Sequence, residues 1–113
     1  MACVARRAVR VTSCWLGPAA TFTPPHTDPL DNLFAQVAGR KVVDVCAPTG
    51  APGAARGEWQ RAELRAGDVL FIPAGWWHCV YARTASFSIS SWFDAGSARR
   101  PVSYTHLTLP TKA

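Results

Sequence analysis

Between Val9 and Phe93 the chain is cut into short β-rich runs by turn signals, and no stretch keeps a helical period. Val9 to Leu16 alternates and stops at Gly17-Pro18. Thr21 to Pro29 is extended and punctuated by Pro24, Pro25 and Pro29. Leu33 to Val37 and Lys41 to Cys46 flank Gly39-Arg40, a pair expected to turn a hairpin. Residues 47–57 read as a Pro/Gly/Ala surface loop. Gly67-Asp68 turns into Val69 to Ile72, Pro73-Ala74-Gly75 turns again, and Trp77 to Ala82 and Ser86 to Phe93 complete the series. Nine prolines and eight glycines in 113 residues disfavour a helical bundle and leave an all-β barrel or sandwich. The length holds one small domain and no second.

Two histidines and a carboxylate stand out against this frame. In an extended chain the side chains at i and i+2 share a face, so His26 and Asp28 can reach one ion while Thr27 points elsewhere. His78, far downstream after Phe71-Ile72-Pro73-Ala74-Gly75-Trp76-Trp77, supplies a second imidazole. Two imidazoles and one carboxylate leave half of a metal's coordination sphere open, the arrangement of mononuclear non-haem Fe(II) sites. A His-x-Asp alone also occurs in ordinary polar turns, and the residues around it must carry the assignment.

The net charge of +5 comes mainly from scattered arginines such as Arg6, Arg40, Arg61, Arg83 and Arg100, the pattern of a solvated surface rather than of a nucleic-acid face. Cys3, Cys14, Cys46 and Cys79 are isolated, which disfavours a zinc ribbon and points to reduced, buried thiols. No run approaches a membrane span or a signal-peptide core, so the expected location is intracellular, nucleus or cytoplasm.

Two further features stay open on pattern alone. Ser86, Ser88, Ser90 and Trp92 share one face of the last run and Phe87, Ile89, Ser91 and Phe93 the other; the small polar face suits either a ligand pocket or the solvent side of a sheet. Lys41 opens an otherwise apolar strand. It is either an edge lysine reaching water or an inward cation that needs an anion, such as the distal carboxylate of 2-oxoglutarate, with Thr23, Asn32 and Ser90 adding hydrogen bonds. Trp76, Trp77 and Phe71 read as core or rim packing, Gly75 and Pro73 as turn formers, and Asp68 as a turn cap.

Taken together, the stretches Trp15-Leu16-Gly17-Pro18, Thr23-Pro24-Pro25-His26-Thr27-Asp28-Pro29, Asn32 to Lys41 and Gly67 to His78, with Ser88 to Trp92, resemble the small JmjC hydroxylases. The resemblance covers most of residues 11–93. It implies a cupin-like double-stranded β-helix (jelly roll), in part, with His26, Asp28 and His78 binding Fe(II). It also implies Lys41 pairing with the 2-oxoglutarate C5 carboxylate, Thr23 and Asn32 hydrogen-bonding the co-substrate, and Phe34, Trp15 and Trp92 walling it.

The implied activity is Fe(II)-, O₂- and 2-oxoglutarate-dependent hydroxylation of a protein or peptide side chain, or demethylation through hydroxylation, with tRNA as an alternative substrate and no membrane partner. The rival readings are a cupin-like binding module or truncated piece without turnover and, less well matched, a cupin isomerase or metal-storage domain. Small JmjC hydroxylases carry strands, helices and a co-substrate-binding tyrosine before the first block, so residues 11–95 are expected to be a catalytic core preceded by a short extension at 1–10. Residues 99–113 continue no pattern before them and read as a non-native disordered tail, which makes His106 a poor ligand candidate.

Overall fold

The structure is a computed structural model and describes residues 9–48 and 57–94. The expected tail, most of the extension, Cys3, His106 and most of the 47–57 loop lie outside the described residues. Eight strands form: β1 (Val9–Gly17), β2 (Phe22–His26), β3 (Asp31–Ala38), β4 (Lys41–Cys46), β5 (Trp59–Leu64), β6 (Val69–Ile72), β7 (Trp77–Ala82) and β8 (Ser86–Phe93). Two four-stranded antiparallel sheets result, ordered β1-β8-β3-β6 and β2-β7-β4-β5. This is the expected all-β, cupin-like double-stranded β-helix. Within the described residues no helix is long and apolar enough to cross a membrane.

The hairpin expected at Gly39-Arg40 does not form. β3 pairs with β6 and β8 while β4 pairs with β5 and β7, so Gly39-Arg40 carries the chain from one sheet to the other. Gly39 has φ +74°, and a Cβ there would meet the Ala85 carbonyl, Thr84 Oγ1 at 2.6 Å and Ser86 Cα at 2.9 Å. The position therefore needs glycine twice over, for the left-handed backbone and for the close approach of the β7–β8 turn. Two hydrogen bonds stitch these turns together, Arg83 N–H to Arg40 O at 3.0 Å and Arg40 N–H to Thr84 Oγ1 at 2.9 Å. They close one end of the barrel.

β5 was not legible as a strand. Its sequence Trp59-Gln60-Arg61-Ala62-Glu63-Leu64 offers the interior only Ala62 and Leu64, while Arg61 and Glu63 face out. Arg61 grips Asp44 of β4 with two bonds of 2.8 and 2.9 Å, and Arg83 reaches Glu63 at 3.4 Å, pairings that account for part of the scattered arginine charge. β1 starts at Val9, inside the segment read as an extension.

Phe34, Val43, Val45, Ala62, Leu64, Leu70, Ile72 and Trp76 form the core between the sheets. Each large apolar side chain removed from water there contributes about 1.5–3 kcal/mol. β8 is inverted relative to a usual surface strand. Its serines point inward, Ser86, Ser88 and Ser90 all buried, while Phe87 and Ile89 are half-buried on the outer face. Ser88 donates to Gln36 Oε1 at 2.6 Å, and Gln36 Nε2 in turn holds the carbonyls of Ala38 and Gly39 at 2.8 and 3.2 Å. Asp68 caps its turn as expected, accepting from Arg65 N–H at 2.8 Å. Cys14, Cys46 and Cys79 are free thiols, but of these only Cys46 is buried as expected; Cys79 is half-buried and Cys14 exposed.

Candidate metal and co-substrate site

At the end opposite the stitched turns, β2 and β7 bring His26 directly across from His78. β2 is an edge strand, so Pro24 and Pro25 cost no ladder donors there, and the register shift between Thr23 and His26 sets the histidine in place. Asp28 follows on the loop. Its carbonyl accepts from Gly75 N–H at 2.8 Å, and Asp31 Oδ1 accepts from Ala74 N–H at 2.8 Å, so the Pro73-Ala74-Gly75 turn is tied to the segment carrying the carboxylate. Gly75 takes φ +83°, which glycine adopts without strain.

The imidazole rings lie 4.2 Å apart between centroids. His26 Nδ1 is 2.8 Å from the Pro24 carbonyl and His78 Nδ1 is 3.1 Å from the Trp76 carbonyl. A carbonyl only accepts, so each Nδ1 carries a hydrogen, and in the neutral imidazole Nε2 then presents a bare lone pair. Both lone pairs converge on Asp28 Oδ2, at 3.8 Å from His26 and 3.3 Å from His78. Burial pushes the His78 imidazole below its usual pKa, against the proton that would relieve this crowding of acceptors. Three convergent acceptor atoms, all within 4.8 Å of one another, fit a divalent cation.

One pocket of about 230 Å³ runs from this cluster into the barrel, lined by every residue that the sequence singled out: Trp15, Thr23, Asn32, Phe34, Lys41, Ser90 and Trp92 beside the triad. Of the two readings of Lys41, the inward one holds. β4 is a central strand, Lys41 is 7% exposed, and its ammonium sits 5.5 Å from the Phe34 ring centroid. Burial lowers its pKa, the expected penalty for a desolvated cation, and among the described residues no carboxylate pairs with it.

The serine face of β8 is the pocket side, not the solvent side. Trp15 Nε1–H donates to Ser90 Oγ at 3.0 Å and Asn32 Nδ2–H to the same oxygen at 3.4 Å. Trp15 also meets Trp92 edge-on with centroids 6.3 Å apart. Two buried polar atoms, Asn32 Oδ1 and Ser86 Oγ, have no hydrogen-bond partner. Orphans of this kind are uncommon in folded proteins, and both line the pocket. Ser86 was legible only as a member of the serine face, and the backbone ties of Asp31 and Gly75 had no sequence signal beyond turn composition.

Residues 50–99 match the family model described as a cupin-like domain. Lysine-specific demethylase 8 of Xenopus tropicalis is 34% identical over a match covering 73% of this chain and 25% of that protein; Jumonji C domain-containing protein 5 of Drosophila melanogaster is 32% identical, covering 71% and 27%. The chain belongs to the JmjC proteins. This JmjC chain spans about a quarter of the length of those relatives. It also superposes on YcfD, a ribosomal oxygenase from Escherichia coli solved with cobalt and 2-oxoglutarate, with a TM-score of 0.66, 27% identity and coverage of 82% of this chain and 25% of that one.

Proposed function

We propose that the chain is the catalytic core of an Fe(II)- and 2-oxoglutarate-dependent oxygenase acting on a protein side chain. The observation that carries this reading is a single pocket with a three-atom acceptor cluster near one end and an unpaired buried lysine further in. A keto diacid is complementary to that pair of features, and cobalt and 2-oxoglutarate bound to YcfD support it. Iron held by His26, Asp28 and His78 would supply the redox chemistry by which O₂ oxidises both 2-oxoglutarate and a substrate C–H. One oxygen atom of O₂ enters succinate as CO₂ leaves, and the other enters the new hydroxyl, so the electrons balance without another reductant.

The protein's own share is positional. The Pro24 and Trp76 carbonyls fix the tautomers that present both Nε2 lone pairs, and the Gly75–Asp28 tie fixes the carboxylate segment. Lys41 neutralises the distal carboxylate in a dry pocket. Phe34, Trp15 and Trp92 exclude water beside it, while Thr23 and Asn32 offer hydrogen bonds to the co-substrate. Hydroxylation of an N-methyl carbon would release the methyl as formaldehyde, so hydroxylase and demethylase outcomes share this site.

The test is anaerobic Fe(II) loading followed by O₂, 2-oxoglutarate and ascorbate, with succinate measured by NMR and hydroxylation or demethylation of arginine-containing and lysine-methylated peptides, and of tRNA, by mass spectrometry. Succinate that requires Fe(II) and disappears in His26→Ala supports the reading. Tight metal and 2-oxoglutarate binding without succinate on any substrate would leave a binding module instead, and tRNA modification would replace the protein substrate.

A further inference from the structure

The end of the pocket away from the metal cluster carries a second polar group that the lysine alone does not explain. Ser86 is 4% exposed, its Oγ has no partner, and it lines the same pocket as Lys41. The two residues belong to one end of the barrel. Ser86 Cα lies against Gly39, two residues before Lys41, and Lys41 pairs with Ala82, the last residue of β7 before the turn that leads into Ser86. His78 stands four residues up β7 from Ala82, about 13 Å along the strand at roughly 3.3 Å per residue.

The surroundings decide what such a pair would take. Val80, Ala82 and Phe34 offer no polar atoms of their own side chains, so the ammonium and the Ser86 hydroxyl, with the Thr23 hydroxyl on the strand across from Val80, are the polar contacts available to a ligand here. A group with two acceptor oxygens and a negative charge satisfies both at once, one oxygen on Lys41 and the other taking the Ser86 O–H. An uncharged ligand end would leave the ammonium desolvated and unpaired.

We propose that Ser86 is a specificity-determining contact: its hydroxyl donates to the distal carboxylate of the co-substrate beside Lys41, and the pair makes the pocket select a dicarboxylate over a monocarboxylate. This rests on the reading of the pocket as a 2-oxoglutarate site. It also explains why a buried hydroxyl is kept without a partner, since alanine at that position would remove the orphan at no cost to packing.

The experiment compares the wild-type chain with Ser86→Ala, Ser86→Cys and Lys41→Met, each loaded with Co(II), by calorimetric titration with 2-oxoglutarate and with pyruvate, alongside melting temperatures of the ligand-free proteins. Ser86→Ala should weaken 2-oxoglutarate roughly ten-fold or more, as loss of a hydrogen bond to a charged group does, and leave Co(II) content and pyruvate affinity unchanged. Its ligand-free melting temperature should hold or rise. Ser86→Cys keeps the side-chain size with a weaker donor and should move binding in the same direction. Unchanged 2-oxoglutarate affinity in both serine variants, with Lys41→Met weakened, would overturn the Ser86 contact and leave the pocket reading intact. Unchanged affinity in Lys41→Met as well would overturn the pocket reading and Ser86 with it. A lowered melting temperature with binding intact would make the hydroxyl structural.

Discussion

Trp15 Nε1–H and Asn32 Nδ2–H both donate to the Ser90 hydroxyl oxygen, at 3.0 and 3.4 Å, and together they use its acceptor capacity. Ser90 is 1% exposed, so its own hydrogen has to find an acceptor within the pocket. Trp15 thereby determines that Ser90 faces a ligand as a donor. Trp15→Phe keeps an aromatic ring against Trp92 but deletes the N–H. We expect 2-oxoglutarate affinity to fall by about 1 kcal/mol while thermal stability changes within roughly 0.5 kcal/mol, because the indole is nearly half exposed. Calorimetry and thermal denaturation of the same preparation check both halves.

Lys41 should act against stability until its anion arrives. Lys41→Met retains the bulk over Phe34 and removes a buried unpaired cation, so the ligand-free chain should gain roughly 1–3 kcal/mol while losing measurable 2-oxoglutarate binding. The pH dependence has a definite sign. Burial sets the folded pKa below the unfolded value, so between the two the unfolded chain binds more protons and stability rises with pH. Below the folded pKa the penalty is complete and constant. Denaturation of wild type and Lys41→Met across the alkaline range should show that rise in the wild type and its absence from the variant; parallel curves would place the lysine in water.

How much of this was readable from residues alone depends on whether an element signals its partner as well as itself. Ser86 to Phe93 declares a strand by strict alternation, yet alternation does not say which face is inside. Here the polar face is, because a pocket rather than a packed core lies beneath it. Gly39-Arg40 declares a turn but not that the following strand joins the other sheet, since that choice is made by β6 and β8 pairing with β3 from far along the chain. Trp59 to Leu64 stayed hidden because its outward face carries charge and its inward face offers only Ala62 and Leu64. The convergence of His26, Asp28 and His78 was legible for the opposite reason: the residue types that could hold a metal are restricted more tightly than strand propensity restricts a strand. The histidine tautomers, fixed by two backbone carbonyls, had no sequence signal.

Gly39→Ala probes the closed end. The substitution forces a side chain into a backbone at φ +74° and against the Ala85 carbonyl and Thr84 Oγ1. A loss of at least about 2 kcal/mol is expected, combining left-handed strain with displacement of the β7–β8 turn. Because Ser86 and Lys41 sit at that end, any folded variant should also bind 2-oxoglutarate more weakly while retaining metal at the far cluster. Chemical denaturation and metal analysis separate the two effects.

Asp28→Asn tests whether the acceptor cluster is a metal site. In the ligand-free chain Asp28 Oδ2 lies 3.3 Å from a His78 Nε2 lone pair with no hydrogen between them in the tautomer that the Trp76 carbonyl imposes. An asparagine amide can present N–H₂ to that nitrogen and turn a repulsive contact into a hydrogen bond, for a gain of about 0.5–1.5 kcal/mol. The same exchange removes the negative charge that a divalent cation needs. Wild type should be stabilised by Co(II) or Mn(II) by about 2.7 kcal/mol when free metal is a hundred times the dissociation constant, and Asp28→Asn should lose most of that increment while starting from a higher melting temperature. A purely structural carboxylate would give the reverse, a lower starting stability and a metal response no different from wild type, because nothing in the cluster would then depend on charge.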